Sequence, residues 1–253
     1  MSNNVRKRKK GSKINRSIFM ASSIFALILI GLISIVAIDH TSGQSYSVEE
    51  MPNYTQIKGE YQTEGLKYDK QPHLGDSKAK VKVVEFADFK CPACKKWKEM
   101  NMQRFLNEFI DTGKAELFFI NYAFIDRDSI LAASAGEAIA KQDNNKFWEF
   151  YDILYKHQGD ESKIWATESF LLDLVKENIK DIDYDLFEKD LRSHTYMLDV
   201  KEDYKTAGHY GVNGTPQFMV NGELLPDSSY EGLANAINKQ LKAISSSPQL
   251  KGE

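Results

Sequence analysis

The stretch Val84-Glu-Phe-Ala-Asp-Phe-Lys-Cys-Pro-Ala-Cys94 contains both cysteines of this 253-residue chain. Lys80 to Phe86, which leads into it, begins with alternating polar and apolar residues and becomes an apolar run, a pattern typical of a central buried strand. The residues that follow, Lys95 to Phe109, predict a helix with one apolar side. That side is formed by Trp97, Met100, Phe105 and Phe109. The sequence therefore predicts a strand, a Cys-x-x-Cys turn and a helix in direct succession.

The chain beyond this unit predicts a second strand and then a helical block. Lys114 to Phe124 is aromatic and β-branched, which indicates a strand parallel to the first. Ser129 to Lys141 is rich in alanine and favours a helix. Phe147 to Leu154 carries aromatic residues at helical spacings, which we interpret as core packing between helices. Phe170 to Ile179 and Leu186 to Leu191 show the same spacing less regularly.

Strand character returns near the C-terminus. Gln217 to Val220 is followed by Asn221-Gly222, the pair that most favours a two-residue hairpin turn, and then by the return strand Glu223 to Leu225. Tyr230 to Ile244 predicts a closing amphipathic helix. The predicted order is β-α-β, a helical block, then β-β-α, which is an α/β fold.

The first 38 residues differ in composition from the rest of the chain. Seven Lys and Arg residues lie within positions 1–16, and the first acidic residue is Asp39. Residues 18–38 are 21 uncharged residues, close to the roughly 20 that a helix needs to cross a membrane. We predict a basic cytoplasmic tail at 1–16, a transmembrane signal anchor at 17–38 and a tether at 39–69. A cleaved signal peptide, which would leave a secreted protein, is the alternative. The formal net charge of −3 argues against nucleic acid as a partner.

The pair Cys91 and Cys94 predicts redox chemistry. The N-terminus of a helix stabilises a thiolate, which is the nucleophile in disulfide exchange, and Pro92 suits the first helical turn. We expect Cys91 to be the more exposed, attacking sulfur and Cys94, one turn into the helix, to resolve the mixed disulfide. A purely structural Cys91–Cys94 bridge would stabilise little because its loop is so short. Zinc is a poor alternative, because two cysteines cannot build a three- or four-cysteine site and no histidine lies near Cys91 in sequence.

The active-site stretch Val84 to Cys94 resembles that of the DsbA-like thiol–disulfide oxidoreductases in the thioredoxin superfamily. Gly211-Val-Asn-Gly-Thr-Pro-Gln-Phe-Met-Val-Asn-Gly222 resembles the cis-proline loop of that superfamily. The resemblance implies a thioredoxin fold in two parts, 70–125 and 206–253, around a helical insertion at 126–205. With its N-terminal anchor, the chain is most similar to the membrane-tethered BdbD proteins of Gram-positive bacteria.

The resemblance also implies roles for single residues. It implies a cis peptide bond between Thr215 and Pro216, with the residue before Pro offering backbone hydrogen bonds to an extended substrate peptide. The sequence alone leaves open a trans proline that begins an edge strand. Glu85 is expected to be a buried acid that relays a proton to or from Cys94, and the alternative is an acid at a strand end that reaches water.

Three further polar residues near the cysteines are expected at the surface. We expect Asp88 to be exposed, and Lys90 and Lys95 to be flexible exposed charges of little energetic weight. The dipeptide between the cysteines, Pro92-Ala93, departs from the Pro-His of the strongly oxidising relatives, which leaves the strength of the oxidant open.

The function implied by the resemblance is that of an extracytoplasmic oxidase. Its substrates would be reduced exported proteins, and a quinone-linked DsbB-like partner in the membrane would re-oxidise it. The redox-active disulfide itself is the expected redox group, with no other cofactor. The alternatives are a disulfide reductase or isomerase on the same scaffold, or a tethered binding or chaperone module with a structural disulfide. The sequence does not identify a bound metal, and no loop matches an EF-hand.

Overall fold

The computed structural model describes residues 51–246. A five-stranded sheet lies at its centre, in the order β1-β3-β2-β4-β5. The strands are β1 (His73–Gly75), β2 (Val81–Ala87), β3 (Ala115–Asn121), β4 (Gln217–Val220) and β5 (Glu223–Leu224). β2 and β3 are parallel, and the other neighbouring strands are antiparallel. The α/β fold predicted from the sequence is confirmed, with β1 as an additional strand.

Helices cover the sheet and fill the space between β3 and β4 in the sequence. Helix α1, residues 92–110, follows β2. The helices between β3 and β4 are α2 (Arg127–Ala140), α3 (Asn144–Lys156), α4 (Glu168–Asn178), α5 (Tyr184–Arg192) and α6 (Met197–His209). Helix α7 (Tyr230–Ser246) follows the β4–β5 hairpin. This arrangement is a thioredoxin fold with a helical insertion.

The alternation of side chains along β2 separates two apolar cores. Val83 and Ala87 belong to the larger core, whereas Val84 and Phe86 belong to the smaller one on the other face of the sheet. Glu85 has the same parity as Val83 and Ala87, so its side chain enters the larger core. The sequence therefore places a carboxyl group inside the main apolar core of the protein.

The first helix does not keep one regular helical period. α1 is α-helical at Pro92–Trp97 and Gln103–Phe105, and π-helical at Lys98–Met102 and Leu106–Ile110. A π turn contains more residues than an α turn and so rotates the side chains that follow it. Met100, which we expected on the apolar side, is 68% exposed, and Met102 is buried instead. The other three predicted apolar positions are buried.

The predicted hairpin is confirmed at Asn221-Gly222. Both residues have positive φ, 48° and 86°, as a turn that matches the twist of the two strands requires. Residues 51–72 contain no regular helix or strand, yet Met51 is fully buried and the Tyr54 ring stacks on Tyr204 at 4.4 Å. Among residues 51–246, no helix combines the length and apolar composition that a membrane span needs. The predicted anchor at 17–38 lies outside the described residues.

Candidate active site

Cys91 lies at the junction of β2 and α1. It occupies the position that caps the N-terminus of the helix, with extended backbone angles, and Pro92 begins the first turn. The Cys91 N–H donates to the carbonyl of Asp88 at 2.9 Å, and the Cys91 carbonyl accepts from Lys95 N–H at 3.2 Å. The short turn between β2 and α1 therefore places this sulfur at the free N–H groups of the helix N-terminus.

The environment of Cys91 favours its thiolate. A hydrogen bond from the Cys94 side chain lowers the pKa of the Cys91 thiol to about 6, and contacts with Thr215 and with the N–H groups of Cys94 and Ala93 add to this against the opposing effect of burial. Cys91 Sγ lies 3.3 Å from the Thr215 carbonyl oxygen. The Thr215–Pro216 peptide bond is cis, as predicted, and the contact with Thr215 places this loop against Cys91 Sγ.

Cys94 and Glu85 lie beneath Cys91 in the larger core. Both cysteines are thiols here, and Cys94 is fully buried whereas Cys91 retains 7% of its surface. Burial, the hydrogen bond to Cys91 and the charges of Cys91 and Glu85 raise the pKa of Cys94. Glu85 is fully buried, which raises the pKa of its carboxyl group to about 8. The two thiols therefore have opposite tendencies to ionise, with a protonated acid close to the inner one.

Comparison with known proteins agrees with this site. The family described as Thioredoxin matches residues 67–239. The chain belongs to the DsbA-like, BdbD-type thiol–disulfide oxidoreductases of the thioredoxin family. It is 47% identical over 176 residues to the probable disulfide bond formation protein D of Bacillus anthracis, covering 69% of this chain and 80% of that protein. It is 34% identical to the disulfide bond formation protein D of Bacillus subtilis, over 68% of this chain and 78% of that protein.

A solved structure gives the same result for the three-dimensional fold. The crystal structure of oxidised BdbD from Bacillus subtilis matches with a TM-score of 0.65 and 33% sequence identity. The match covers 69% of this chain and 94% of that chain. The oxidoreductase described here therefore shares both fold and sequence with a BdbD protein.

The prediction that Asp88 is exposed was wrong. Asp88 is 1% exposed, and its carboxylate accepts hydrogen bonds from the N–H groups of Lys90, Phe124 and Ile125 at 2.8 to 3.1 Å. These donors lie in the turn after β2 and the loop after β3, two backbone segments whose N–H groups lack partners in the sheet. Asp88 thus joins the active-site turn of the oxidoreductase to the neighbouring loop.

The prediction of an exposed Lys90 was also wrong. Lys90 is fully buried, with its ammonium group 2.6 Å from Asp128 Oδ1 and 3.0 Å from the Lys163 carbonyl oxygen. Asp128, in α2, also accepts from the N–H groups of Trp165 and Ala166. The residues around Lys90 in the sequence do not indicate its burial, because the partners of its ammonium group come from the helical insertion. Lys95 is partly exposed.

The helical insertion contributes further contacts that the sequence did not predict. Gln158 Nε2 donates to the carbonyl oxygens of Phe89 at 2.8 Å and Cys91 at 3.0 Å. The Tyr151 hydroxyl lies 3.3 Å from both oxygens of Glu85, and the Tyr155 hydroxyl lies 3.3 Å from the Asp88 carbonyl. Aromatic spacing predicted the Tyr151 ring as a core residue, but it carries no information on the partner of its hydroxyl group, and Tyr155 lies outside the predicted stretch.

A pocket of about 170 Å³ lies beside the cysteines. It is lined by Ala93, Trp97 and exposed Met100 from α1 and by Pro216 from the cis-proline loop, with polar groups at its rim. Within residues 51–246, no group of three or more His, Cys, Asp or Glu side chains is arranged to hold a metal ion. The candidate site thus combines the cysteine pair, a buried acid and an apolar pocket.

Proposed function

We propose that this oxidoreductase introduces disulfide bonds into exported proteins by exchange through Cys91-Pro92-Ala93-Cys94, on the outer side of the cell membrane. The observation that carries the proposal is the asymmetry of the two thiols. The pKa of Cys91 is lowered to about 6, whereas that of Cys94 is raised. A dithiol form in which one thiolate is stabilised makes the corresponding disulfide a better oxidant.

The proposed reaction begins with the Cys91–Cys94 disulfide. A substrate thiolate attacks Cys91 Sγ, the Cys91–Cys94 bond breaks, and the electron pair leaves on Cys94, which takes up a proton from Glu85. A second substrate thiolate then attacks the first substrate sulfur, which forms the substrate disulfide and releases Cys91 as a thiolate. Two electrons pass from the substrate dithiol to the enzyme. The redox-active disulfide is the only redox group that these steps need.

The size of the thiolate effect sets an expectation for the redox potential. A Cys91 thiol with a pKa of about 6 is mostly ionised at pH 7, whereas one with the ordinary value of 9.0 is not. Ionisation at pH 7 favours the reduced enzyme by about 1.4 kcal/mol, which is about 30 mV for a two-electron couple. Thioredoxin lies near about −270 mV and DsbA near about −120 mV. We expect a value between them.

The decisive experiment is equilibration of the enzyme with glutathione redox buffers at pH 7. A potential clearly more positive than that of thioredoxin supports an oxidase. A value at or below about −270 mV contradicts it and favours a reductase on the same scaffold. If the disulfide exchanges with no thiol at all, a binding or chaperone module with a structural disulfide becomes the better description.

The pocket between α1 and the cis-proline loop supports a peptide substrate. Met100 is 68% exposed and lines this pocket with Pro216, next to the turn that carries Cys91. A concave pocket lined by apolar side chains can accept an apolar side chain of a bound peptide. We propose that substrates lie as an extended chain along Thr215 and Pro216, with an apolar side chain near the cysteine placed in this pocket.

The remaining partners follow from the proposed direction of electron flow. An oxidase must lose two electrons after each cycle, and we propose a quinone-linked DsbB-like membrane protein as the acceptor. We also propose that residues 17–38 hold the enzyme in the membrane as a single-pass anchor, with secretion after signal cleavage as the alternative. Separation of cell membranes from the culture medium, followed by detection of the protein, distinguishes the two.

A further inference from the structure

The Glu85 carboxyl group contacts one hydroxyl group from the helical insertion. Tyr151 Oη lies 3.3 Å from each of its two oxygens. Glu85 is 0% and Tyr151 1% exposed, so water does not compete for this contact. In the part of the chain that the structure describes, Tyr151 provides the one side-chain hydrogen bond of this carboxyl group. The Tyr151 hydroxyl has a single proton, so it can donate to one carboxyl oxygen of Glu85 at a time. The other oxygen of Glu85 is then free to carry or release the proton of the carboxyl group.

Packing fixes the position of this hydroxyl. The Tyr151 ring meets Phe119 of β3 edge to face at 5.7 Å, and Trp148 and Tyr155 of its own helix at 5.3 Å and 4.9 Å. Phe119 lies opposite Glu85 in the paired strands. The ring is thus held between the sheet and α3, and its hydroxyl has little freedom to turn away from the carboxyl group.

Few polar groups surround this pair. Tyr151 and Tyr155 face Glu85 from α3, and Cys94 faces it from α1. On the neighbouring strands, the residues opposite Glu85 are the apolar Phe119 and Phe218. Tyr151 also interacts with Asp152, an exposed residue whose carboxylate pairs with Lys98 at 2.7 Å. Burial raises the pKa of Glu85, and the Tyr151 hydrogen bond opposes this rise.

We propose that the Tyr151 hydroxyl is a positioning group for the redox reaction: it orients the Glu85 carboxyl group and favours its ionised form, so that the helical insertion controls proton transfer at Cys94. The inference rests on the proposed function, in which Glu85 exchanges a proton with Cys94. It assigns to the insertion a part in the chemistry, in addition to its packing on the thioredoxin fold.

The proton movement can be written for resolution of a mixed disulfide on Cys91. The Cys94 proton passes to the Glu85 carboxylate, and the Cys94 sulfur attacks Cys91 Sγ. The Cys91–Cys94 bond forms as the bond between Cys91 and the bound thiol breaks, and the electron pair leaves on that thiol, which takes a proton from water. In the opposite direction, Glu85 returns its proton to Cys94. Burial keeps most of Glu85 protonated at neutral pH, so the step is faster when the hydrogen bond from Tyr151 increases the ionised fraction of this carboxyl group.

The test uses the full-length protein, reduced and mixed rapidly with oxidised glutathione. Glutathione first forms a mixed disulfide with Cys91, and Cys94 then displaces it. The rate of this second step is measured from pH 5 to pH 10. Tyr151→Phe keeps the ring and removes the hydroxyl, so we expect the midpoint of the pH profile to rise by about one pH unit and the step at pH 7 to slow about tenfold.

Tyr155→Phe is the matched control. Tyr155 is in the same helix and equally buried, but its hydroxyl donates to the Asp88 carbonyl and, among the described residues, makes no hydrogen bond to Glu85. We expect this variant to keep the wild-type midpoint.

In a Glu85→Gln background, the Tyr151→Phe substitution is expected to have no further effect on the pH profile. The infrared band of the Glu85 carboxyl group, titrated without turnover, is expected to show the same upward shift in Tyr151→Phe.

Three results would overturn the inference. These are an unchanged midpoint in Tyr151→Phe, an equal shift in Tyr155→Phe, and a shift that persists when Glu85 is replaced by Gln. A Glu85→Gln variant with the wild-type profile would remove the proton relay itself, and the role of Tyr151 with it. Failure of the proposed function is distinguishable from all of these, because it would show as a redox potential at or below about −270 mV, or as no mixed disulfide on Cys91 in the first step.

Discussion

The ammonium group of Lys90 lies 2.6 Å from the carboxylate of Asp128, and both side chains are fully buried. The contact joins the residue before the reactive cysteine to the first helix of the insertion. Removing one partner of a buried ion pair leaves an uncompensated charge, which costs about 3–5 kcal/mol. We expect Lys90→Met to lower the free energy of unfolding by an amount in this range, as measured by urea denaturation.

Two further variants test this interpretation of the ion pair. Lys163→Met removes a lysine whose side chain is 75% exposed, and we expect it to change stability by less than about 0.5 kcal/mol. Asp128→Asn, combined with Lys90→Met, removes the second charge but keeps an acceptor for the N–H groups of Trp165 and Ala166. The double variant should recover part of the loss. If it is less stable than Lys90→Met alone, the uncompensated charge is not the cause.

The order of the two cysteines can be tested by trapping. Cys91 retains some exposed surface and Cys94 has none, so Cys91 should form the bond to the substrate. We expect Cys94→Ser to accumulate mixed disulfides with reduced substrate proteins, since resolution is then blocked. Cys91→Ser should form none. Non-reducing gel electrophoresis after acid quenching measures both, and trapping by Cys91→Ser instead would mean that the roles are reversed.

The dipeptide between the cysteines should set the strength of the oxidant. Ala93 is exposed, and its N–H already contributes to lowering the pKa of Cys91. We expect Ala93→His to lower this pKa further, because an imidazolium can donate to the thiolate. Each unit by which the pKa falls should make the potential about 30 mV more positive at pH 7. The thiolate absorbance and glutathione equilibration measure the two quantities.

Ala93→Gln is the control for this substitution. Glutamine also occupies the exposed position but carries no positive charge, so we expect a smaller change in the thiolate titration. An Ala93→His variant whose Cys91 pKa and potential both equal those of the wild type would show that the dipeptide does not govern the thiolate here.

Burial of Glu85 should make stability depend on pH. The pKa of this carboxyl group is raised from its ordinary value of 4.5 to about 8, so the folded protein binds the proton more tightly than the unfolded chain does. Between these two values, the group destabilises the fold increasingly as the pH rises, by about 1.4 kcal/mol per pH unit. Glu85→Gln removes this dependence. We therefore expect the variant to gain up to about 4 kcal/mol relative to the wild type between pH 5 and pH 8.

The comparison is made by urea denaturation of the reduced proteins at each pH. Effects of other titrating groups cancel in the difference between variant and wild type. Glu99→Gln, which removes an exposed acid from α1, is the surface control and should change stability by less than about 0.5 kcal/mol. A difference for Glu85→Gln that does not change with pH would mean that Glu85 does not hold its proton in the folded protein.

Most of the fold could be predicted because its elements are long and periodic. The exceptions have identifiable physical causes. β1 has only three residues, too few to show alternation, and is held by its pairing with β3. The π turns of α1 displace Met100 from the apolar side to the surface, a change that no helical period in the sequence indicates.

The candidate site was predictable where its residues are neighbours in the sequence. Cys91, Cys94 and Glu85 share one short stretch, and the cis-proline loop carries its own motif. Asp88 and Lys90 were misjudged, because the burial of a charged side chain depends on partners such as Asp128 that lie far away in the chain. The contact of Tyr151 with Glu85 also joins segments that lie far apart in the sequence. It exists only in the folded protein, so local sequence patterns do not predict it.

The contact between Cys91 and Thr215 joins residues 124 positions apart. Since a polypeptide is made from its N-terminus, the reactive thiol exists before the loop that completes its surroundings. An unfinished chain therefore carries a cysteine without the carbonyl and the proline that flank it in the finished protein. The surroundings of Cys91 are complete only when the segment from Thr215 onward has folded back onto the first strands, so the geometry of the candidate site coincides with completion of the fold.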